Sequence, residues 1–324
     1  MNWVFPHGTL DQGVPRGSVF TDWQVSVTDR LDGWRHTTLR VTSMVPSGRA
    51  SLVADGEEVV VVPLTGSYEV SVRQLGATRS PRIFELAGRE SVFTGPTDVL
   101  YVPSGHELTI TCSSGGPGRV AVCGAYVTDS EGRGIMSVHD LDPIHVASAD
   151  VPVEFRGAGH CSREVRNFGV PGVLDAERII ACEVVTPAGN WSSYPPHKHD
   201  EERPGEETQL EEIYYHEVQV EGGVARDGTD PHGFLRVYGS GSGGEIDVLT
   251  AVRTGDVVLV PFGWHGPAMA VPGYDLYYLN VMAGPLHEGA ERAWLITDDP
   301  AHGWVRETWT MQDVDPRLPL GGAR

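Results

Sequence analysis

The run Trp191-Ser192-Ser193-Tyr194-Pro195-Pro196-His197-Lys198-His199-Asp200 carries the most information in this chain. Side chains of an extended strand alternate between its faces, so His197 and His199, two apart, share one face and can grip one metal ion. Of the 24 Lys and Arg residues, Lys198 is the single lysine; arginine supplies positive charge everywhere else. A compact ammonium shifts its pKa readily, which reads as a functional role; the plainer reading is a solvated strand residue. In a regular strand Lys198 points away from the histidine face, so catalysis by it requires a bend, which Pro195 and Pro196 can supply.

Outward from this run, extended stretches dominate. Residues 57–64, 68–72, 99–102, 108–112 and 120–127 form one series, punctuated by Gly, Pro, Ser and Asp; residues 179–185, 213–220, 234–238, 246–252, 257–261 and 276–282 form another. The whole reads as all-β. Gly95-Pro96-Thr97-Asp98-Val99-Leu100-Tyr101-Val102-Pro103-Ser104-Gly105-His106 echoes Gly255-Asp256-Val257-Val258-Leu259-Val260-Pro261-Phe262-Gly263-Trp264-His265, each a strand, a Pro-x-Gly turn and a histidine. The echo predicts duplicated halves, residues 1–150 and 151–324. The first half lacks His-x-His, so His106 reads as structural and that half as packing or cavity wall. His139 and His145, six apart in the connecting segment, share no preferred face and read as incidental. Asp313 to Arg324 reads as a loose tail.

A chain of 324 residues exceeds the usual single domain, and each half can bury a core. A formal charge of −20 argues against nucleic acid and anionic membrane surfaces as partners and favours a small polar substrate. An anionic substrate would need local cations to offset that field. No stretch approaches the roughly 18 apolar residues of a membrane span. Cys112, Cys123, Cys161 and Cys182 form no Cys-x-x-Cys pair, and the N-terminus lacks a basic region followed by an apolar run, so the expected location is the reducing cytoplasm.

The pattern resembles that of cupin proteins: His-x-His, a Glu at the start of the next strand, then Gly, a strand, Pro-x-Gly and a closing His. The resemblance implies a bicupin, two β-barrel or jelly-roll domains of which the C-terminal one binds metal. It implies His197, His199, Glu212 and His265 as ligands of one divalent ion, Zn²⁺ foremost, with Mn²⁺, Ni²⁺ or Fe²⁺ also suited and positions left open for water or substrate. Glu211 and Glu212 point to opposite faces of their strand, and Glu212 fits the ligand register. The departure is length, because Asp200 to Leu210 separates His199 from the Glu pair as an acidic insertion, expected to act as a lid.

A narrower resemblance rests on Gly189-Asn190-Trp191-Ser192-Ser193 leading into Pro-Pro-His-Lys-His-Asp, with the blocks at residues 210–215, 233–238, 273–284 and 298–300. Together they are similar to the 5-deoxy-glucuronate isomerase family of bacterial myo-inositol catabolism. That implies aldose–ketose isomerisation of a sugar acid, 5-deoxy-D-glucuronate, to 5-dehydro-2-deoxy-D-gluconate through a metal-stabilised enediolate. Lys198, Tyr214 and His216 are candidate catalytic groups; Arg236, Tyr238, Arg163 and Arg166 are candidates for holding substrate. Rival readings of the same ligands are a metal-dependent dioxygenase and a non-catalytic sugar-binding cupin. A homo-oligomer is expected.

Overall fold

The computed structural model describes residues 3–10, 23–128, 142–224, 226–241, 243–285 and 292–321; His139 lies outside them. The chain is all-β as expected: among the described residues the one α-helix is Val305–Thr308. No helix among them is long and apolar enough to cross a membrane.

The first half is organised by one long strand, Glu57–Gln74, which serves two sheets. Its first part pairs with Val99–Val102 and Gly118–Tyr126, and its second with Arg82–Arg89 and His106–Cys112. The register slips between Pro63 and Thr65, and Gly66 follows at φ 85°. A Cβ there would stand 2.9 Å from Ser114 Oγ and 3.1 Å from Gly118 Cα, so the strand changes sheet where only glycine fits.

The second half faces two sheets across a barrel. One runs Val153–Arg156, Arg163–Gly169, Ile180–Thr186, Tyr274–Ala283, Glu211–Val220, Val257–Val260. The other contains Asp247–Val252, Gly233–Tyr238, Trp264–Ala270, His197–Lys198 and Thr297–Asp298. Val4–Phe5, from the start of the chain, pairs with Val257–Val260 and covers that sheet's edge, so these first residues join the second barrel by hydrogen bonding.

Alternation explains the uninterrupted apolar runs. Val59 and Val61 face the interior of the first barrel, while Val60 and Val62 face a core shared with Ile213, Tyr215, Val257, Leu259, Tyr277 and Leu279 of the second. With both faces buried, a strand reads as continuously hydrophobic. As far as residue 321 the tail is not loose. The Asp315 backbone N–H donates to Ser162 Oγ (3.0 Å), Arg317 Nη1 donates to the Ala188 carbonyl (2.9 Å), and Leu320 packs on the shared core. Composition signals turns there, but it carries no information on which distant carbonyls receive them.

Candidate metal centre

The His197–Lys198 strand lies between Thr297–Asp298 and Trp264–Ala270, with His197 directly across from His265. The ring centroids of His197 and His265 are 4.4 Å apart, and those of His199 and His265 are 4.6 Å apart. One ligand nitrogen from each of the three histidines falls within 4.8 Å of the others. Glu212 enters from the facing sheet; its Oε2 lies 3.2 Å from His199 Nε2 and 3.1 Å from His265 Nε2.

The backbone fixes the tautomers. His197 Nδ1 faces the Pro195 carbonyl (3.4 Å), His199 Nδ1 the Leu210 carbonyl (3.0 Å) and His265 Nδ1 the Gly263 carbonyl (3.2 Å). Each Nδ1–H donates to its carbonyl, which turns each Nε2 lone pair toward the common point, the arrangement that orients imidazole ligands. His265 Nε2 is buried without a hydrogen bond, an orphaned acceptor that a cation would satisfy. Burial, reinforced by His265 and His199, holds His197 well below the ordinary histidine range. Against its burial, the contacts with His199 and His265 hold the Glu212 carboxyl down at about 2. His199 is likewise buried, and against that burial the Glu212 carboxylate raises its pKa; imidazole nitrogens converging on an ionised carboxylate suit a divalent ion, whose binding displaces the proton.

Glu211, next along the strand, points the other way. It accepts from the backbone N–H groups of Arg35 (3.2 Å), His36 (2.7 Å) and Thr37 (2.7 Å), so it ties the first half to the second.

Beside the cluster opens a cavity of about 420 Å³ lined by His197, Glu212, Tyr214, Tyr278, Asn280 and Arg163, among others. Ser193 Oγ lies 3.2 Å from the Tyr214 hydroxyl and 3.1 Å from that of Tyr278. Burial, followed by the Glu212 charge, raises the Tyr214 pKa well above 10, so this phenol keeps its proton. Arg163 donates to the carbonyls of Cys161 (3.2 Å) and Tyr194 (3.5 Å) and stacks 5.6 Å from the Trp309 ring. Among the described residues it pairs with no carboxylate. Burial pushes its pKa down to about 10, which still leaves it charged at neutrality.

Of the seven residues read as catalytic or substrate-holding, the structure brings only Tyr214 and Arg163 to this cavity. Lys198 is turned away, its Nζ 2.6 Å from Asp200, 3.0 Å from Glu201 and 2.9 Å from Glu207. His216 sits behind Tyr214 with ring centroids 6.1 Å apart; its Nδ1 meets the Asp256 carbonyl at 3.2 Å. Arg166 and Arg163, an odd number of residues apart, fall on opposite faces. Arg166 is buried toward the first half, donating to Glu164 (2.7 Å) and the Val92 carbonyl (2.6 Å). Leu235 and Val237 occupy the barrel interior, which leaves Arg236 and Tyr238 outside. Arg236 pairs with Asp247, and the Tyr238 hydroxyl donates to Asp299 (2.5 Å). The Asp200–Leu210 insertion contributes nothing to the cavity lining; it is clasped around Lys198, with Glu207 buried, and does not lie as a lid.

Several lining residues escaped the sequence reading. Tyr278 and Asn280 stand across from His216 and Tyr214 in strand register, so their parity could have revealed them. Arg156 and Arg306, paired with Glu154 and Asp298, and Trp294 and Trp309 reach the cavity by tertiary folding alone.

Residues 14–305 match the model of the KduI/IolB family. The chain is 36% identical over 291 residues to the 5-deoxy-glucuronate isomerase of Geobacillus kaustophilus, covering 88% of this chain and 91% of that protein. It is 37% identical over 253 residues to the 5-deoxy-glucuronate isomerase of Bacillus subtilis strain 168, covering 78% and 80%. The crystal structure of an IolB-like protein from Salmonella typhimurium superposes with a TM-score of 0.74 at 29% identity, over 94% of this chain and 99% of that one. Lactobacillus farciminis oxalate decarboxylase, at 15% identity and a TM-score of 0.60 over 92% and 88%, shares the fold and bears out the bicupin reading. The chain belongs to the KduI/IolB family.

Proposed function

We propose that this protein is an enzyme, an aldose–ketose isomerase converting 5-deoxy-D-glucuronate to 5-dehydro-2-deoxy-D-gluconate in inositol catabolism. The observation that carries the proposal is one cavity edged both by His197 and Glu212 of the three-histidine, one-glutamate cluster and by a buried arginine that pairs with no carboxylate among the described residues. The substrate offers complementary ends: an aldehyde with a neighbouring hydroxyl, and a carboxylate.

Isomerisation moves one hydrogen from the hydroxyl-bearing carbon to the aldehyde carbon and one proton between their oxygens, with no net oxidation. Arg163 receives the carboxylate; a charge-assisted hydrogen bond there fixes which end faces the histidines. His197, His199, Glu212 and His265 would hold a divalent ion, Zn²⁺ in our reading, which when bound supplies Lewis acidity toward the carbonyl and hydroxyl oxygens. Tyr214, protonated and held by Ser193, donates a hydrogen bond to oxygen where negative charge develops. Asn280 Nδ2 and Trp294 Nε1, buried donors without partners among the described residues, are available to further substrate oxygens. We read the enzyme as a cytoplasmic homo-oligomer.

The test supplies 5-deoxy-glucuronate to zinc-loaded protein without oxygen and follows ketose formation by NMR, with His199→Ala alongside. Ketose is expected from the wild type and not from the variant. No ketose from the wild type, or equal turnover in both, ends the reading.

A further inference from the structure

We propose that Lys198 and Asp200 form a bracket that positions the metal centre, Lys198 acting as an internal counter-cation. The inference rests on His197, His199, Glu212 and His265 being metal ligands, and does not depend on which sugar is turned over.

Asp200, Glu201 and Glu207 bring carboxylate oxygens together closely enough to hold a cation of their own. The Lys198 ammonium occupies that place, each of its three N–H donors directed to one of the three carboxylates. The Asp200 and Glu207 side chains are 2% and 0% exposed, so their charges need cations; Lys198 meets both, and Arg203 also meets Glu207 at 2.5 Å. A point-like ammonium serves three carboxylates converging on one spot; a planar arginine fork serves one carboxylate side-on. That difference suits a lysine, the single one of the chain, to this place.

The bracket reaches the ligands through short links. The other Asp200 oxygen accepts the Gly263 N–H at 2.8 Å and the Ser240 hydroxyl at 2.7 Å. The Gly263 carbonyl in turn receives Nδ1–H of His265. Gly263 has φ 94°, and a Cβ there would lie 2.6 Å from the Tyr238 carbonyl, so the turn tolerates no side chain. Glu207 accepts the backbone N–H groups of Asp200 (2.9 Å) and Glu201 (3.1 Å) and the Thr297 hydroxyl (2.5 Å), and Thr297 pairs in register with Lys198. His199 and Leu210 close the loop in both directions: the Leu210 N–H donates to the His199 carbonyl at 2.8 Å, and His199 Nδ1–H to the Leu210 carbonyl. One buried carboxylate, next in sequence to His199, thus supports the turn that orients His265.

Removing the ammonium leaves Glu207 its contact with Arg203 but takes Lys198 from Asp200, which is then repelled by Glu207 and free to turn from Gly263. Outer supports of metal ligands are typically worth about 10–100-fold in metal affinity.

The test titrates full-length wild type, Lys198→Met, Lys198→Arg and Asp200→Asn with Zn²⁺ against a chelator of known affinity. It also records the visible spectrum with Co²⁺ and turnover at saturating Zn²⁺. Lys198→Met and Asp200→Asn are expected to lose about 10–100-fold in Zn²⁺ affinity and to shift the Co²⁺ bands, with turnover at saturating metal within about twofold of wild type. Lys198→Arg recovers part of the affinity. Should Lys198→Met fail to fold, Asp200→Asn, which keeps the side chain's size, reads the same affinity. Unchanged affinity in Asp200→Asn overturns the proposal, as does turnover lost in Lys198→Met at full metal occupancy with affinity intact. Because affinity is read without substrate, failure here is distinct from failure of the isomerase assignment.

Discussion

His106 and His265 occupy matching points in the two barrels. Each follows a short apolar strand and a tight turn, and each sets Nδ1 against a backbone carbonyl of that turn, at 3.1 Å to Pro103 and 3.2 Å to Gly263. His265 is buried against His197, His199 and Glu212; His106 is half-buried and belongs to no ligand cluster among the described residues. The interiors differ in the same sense. The first barrel is filled by Val59, Val61, Val70, Leu100, Leu108 and Ile110, whereas the second keeps a cavity edged by Tyr, Asn and Arg side chains. A barrel presents a histidine at this turn readily. Chemistry requires complementary groups from three further strand positions and an interior left unfilled. The first barrel instead supports the second, through the shared core, the Glu211 anchor and the buried Arg89–Glu183 pair.

The comparison breaks if the two histidines prove equivalent. His265→Ala is expected to abolish metal retention and to lower turnover about a thousandfold, the several kcal/mol a Lewis acid contributes, while His106→Ala changes neither. Metal analysis and NMR turnover read both, and similar losses in the two variants would remove the distinction. Next in size, Ile110→Ala in the filled barrel should cost about 3 kcal/mol of stability in denaturant titration while kcat of the folded enzyme holds; a selective drop in kcat would give the first barrel a direct role.

Arg163→Met should lower kcat/KM for the uronic acid by roughly 30-fold, about 2 kcal/mol for a charge-assisted bond, and leave a neutral aldose analogue unaffected. Equal losses for both sugars would detach Arg163 from the carboxylate. The smallest effect concerns pH. Burial lowers the His216 pKa to about 4, against 6.5 for the free side chain. The unfolded chain therefore binds a proton between those values and the folded one does not, so this contribution is complete above 6.5 and is lost as pH falls toward 4. Between pH 7 and 5.5 it amounts to about 1 kcal/mol, and His216→Gln should flatten that part of a melting-temperature profile. An unaltered profile would place the acid sensitivity elsewhere.

Local spacing was enough to identify the strands, the repeated strand-turn-histidine unit and the shared face of His197 and His199, and to set Glu211 and Glu212 on opposite faces, because strand alternation is a property of neighbouring residues; the choice of Glu212 came from the resemblance to cupins. The same rule separates Arg163 from Arg166, three apart and on opposite faces, although only closure of the barrel decides which face is inside. Lys198 was conspicuous in the sequence for its rarity. Its partners Glu207 and Asp200 became visible only when the acidic insertion folded back on it. Arg156, Arg306, Trp294 and Trp309 reach the cavity from segments that no periodicity connects to the ligands. Whether an interior is packed solid or left open depends on side-chain volumes meeting from strands far apart in sequence, and that quantity exists only in the folded barrel.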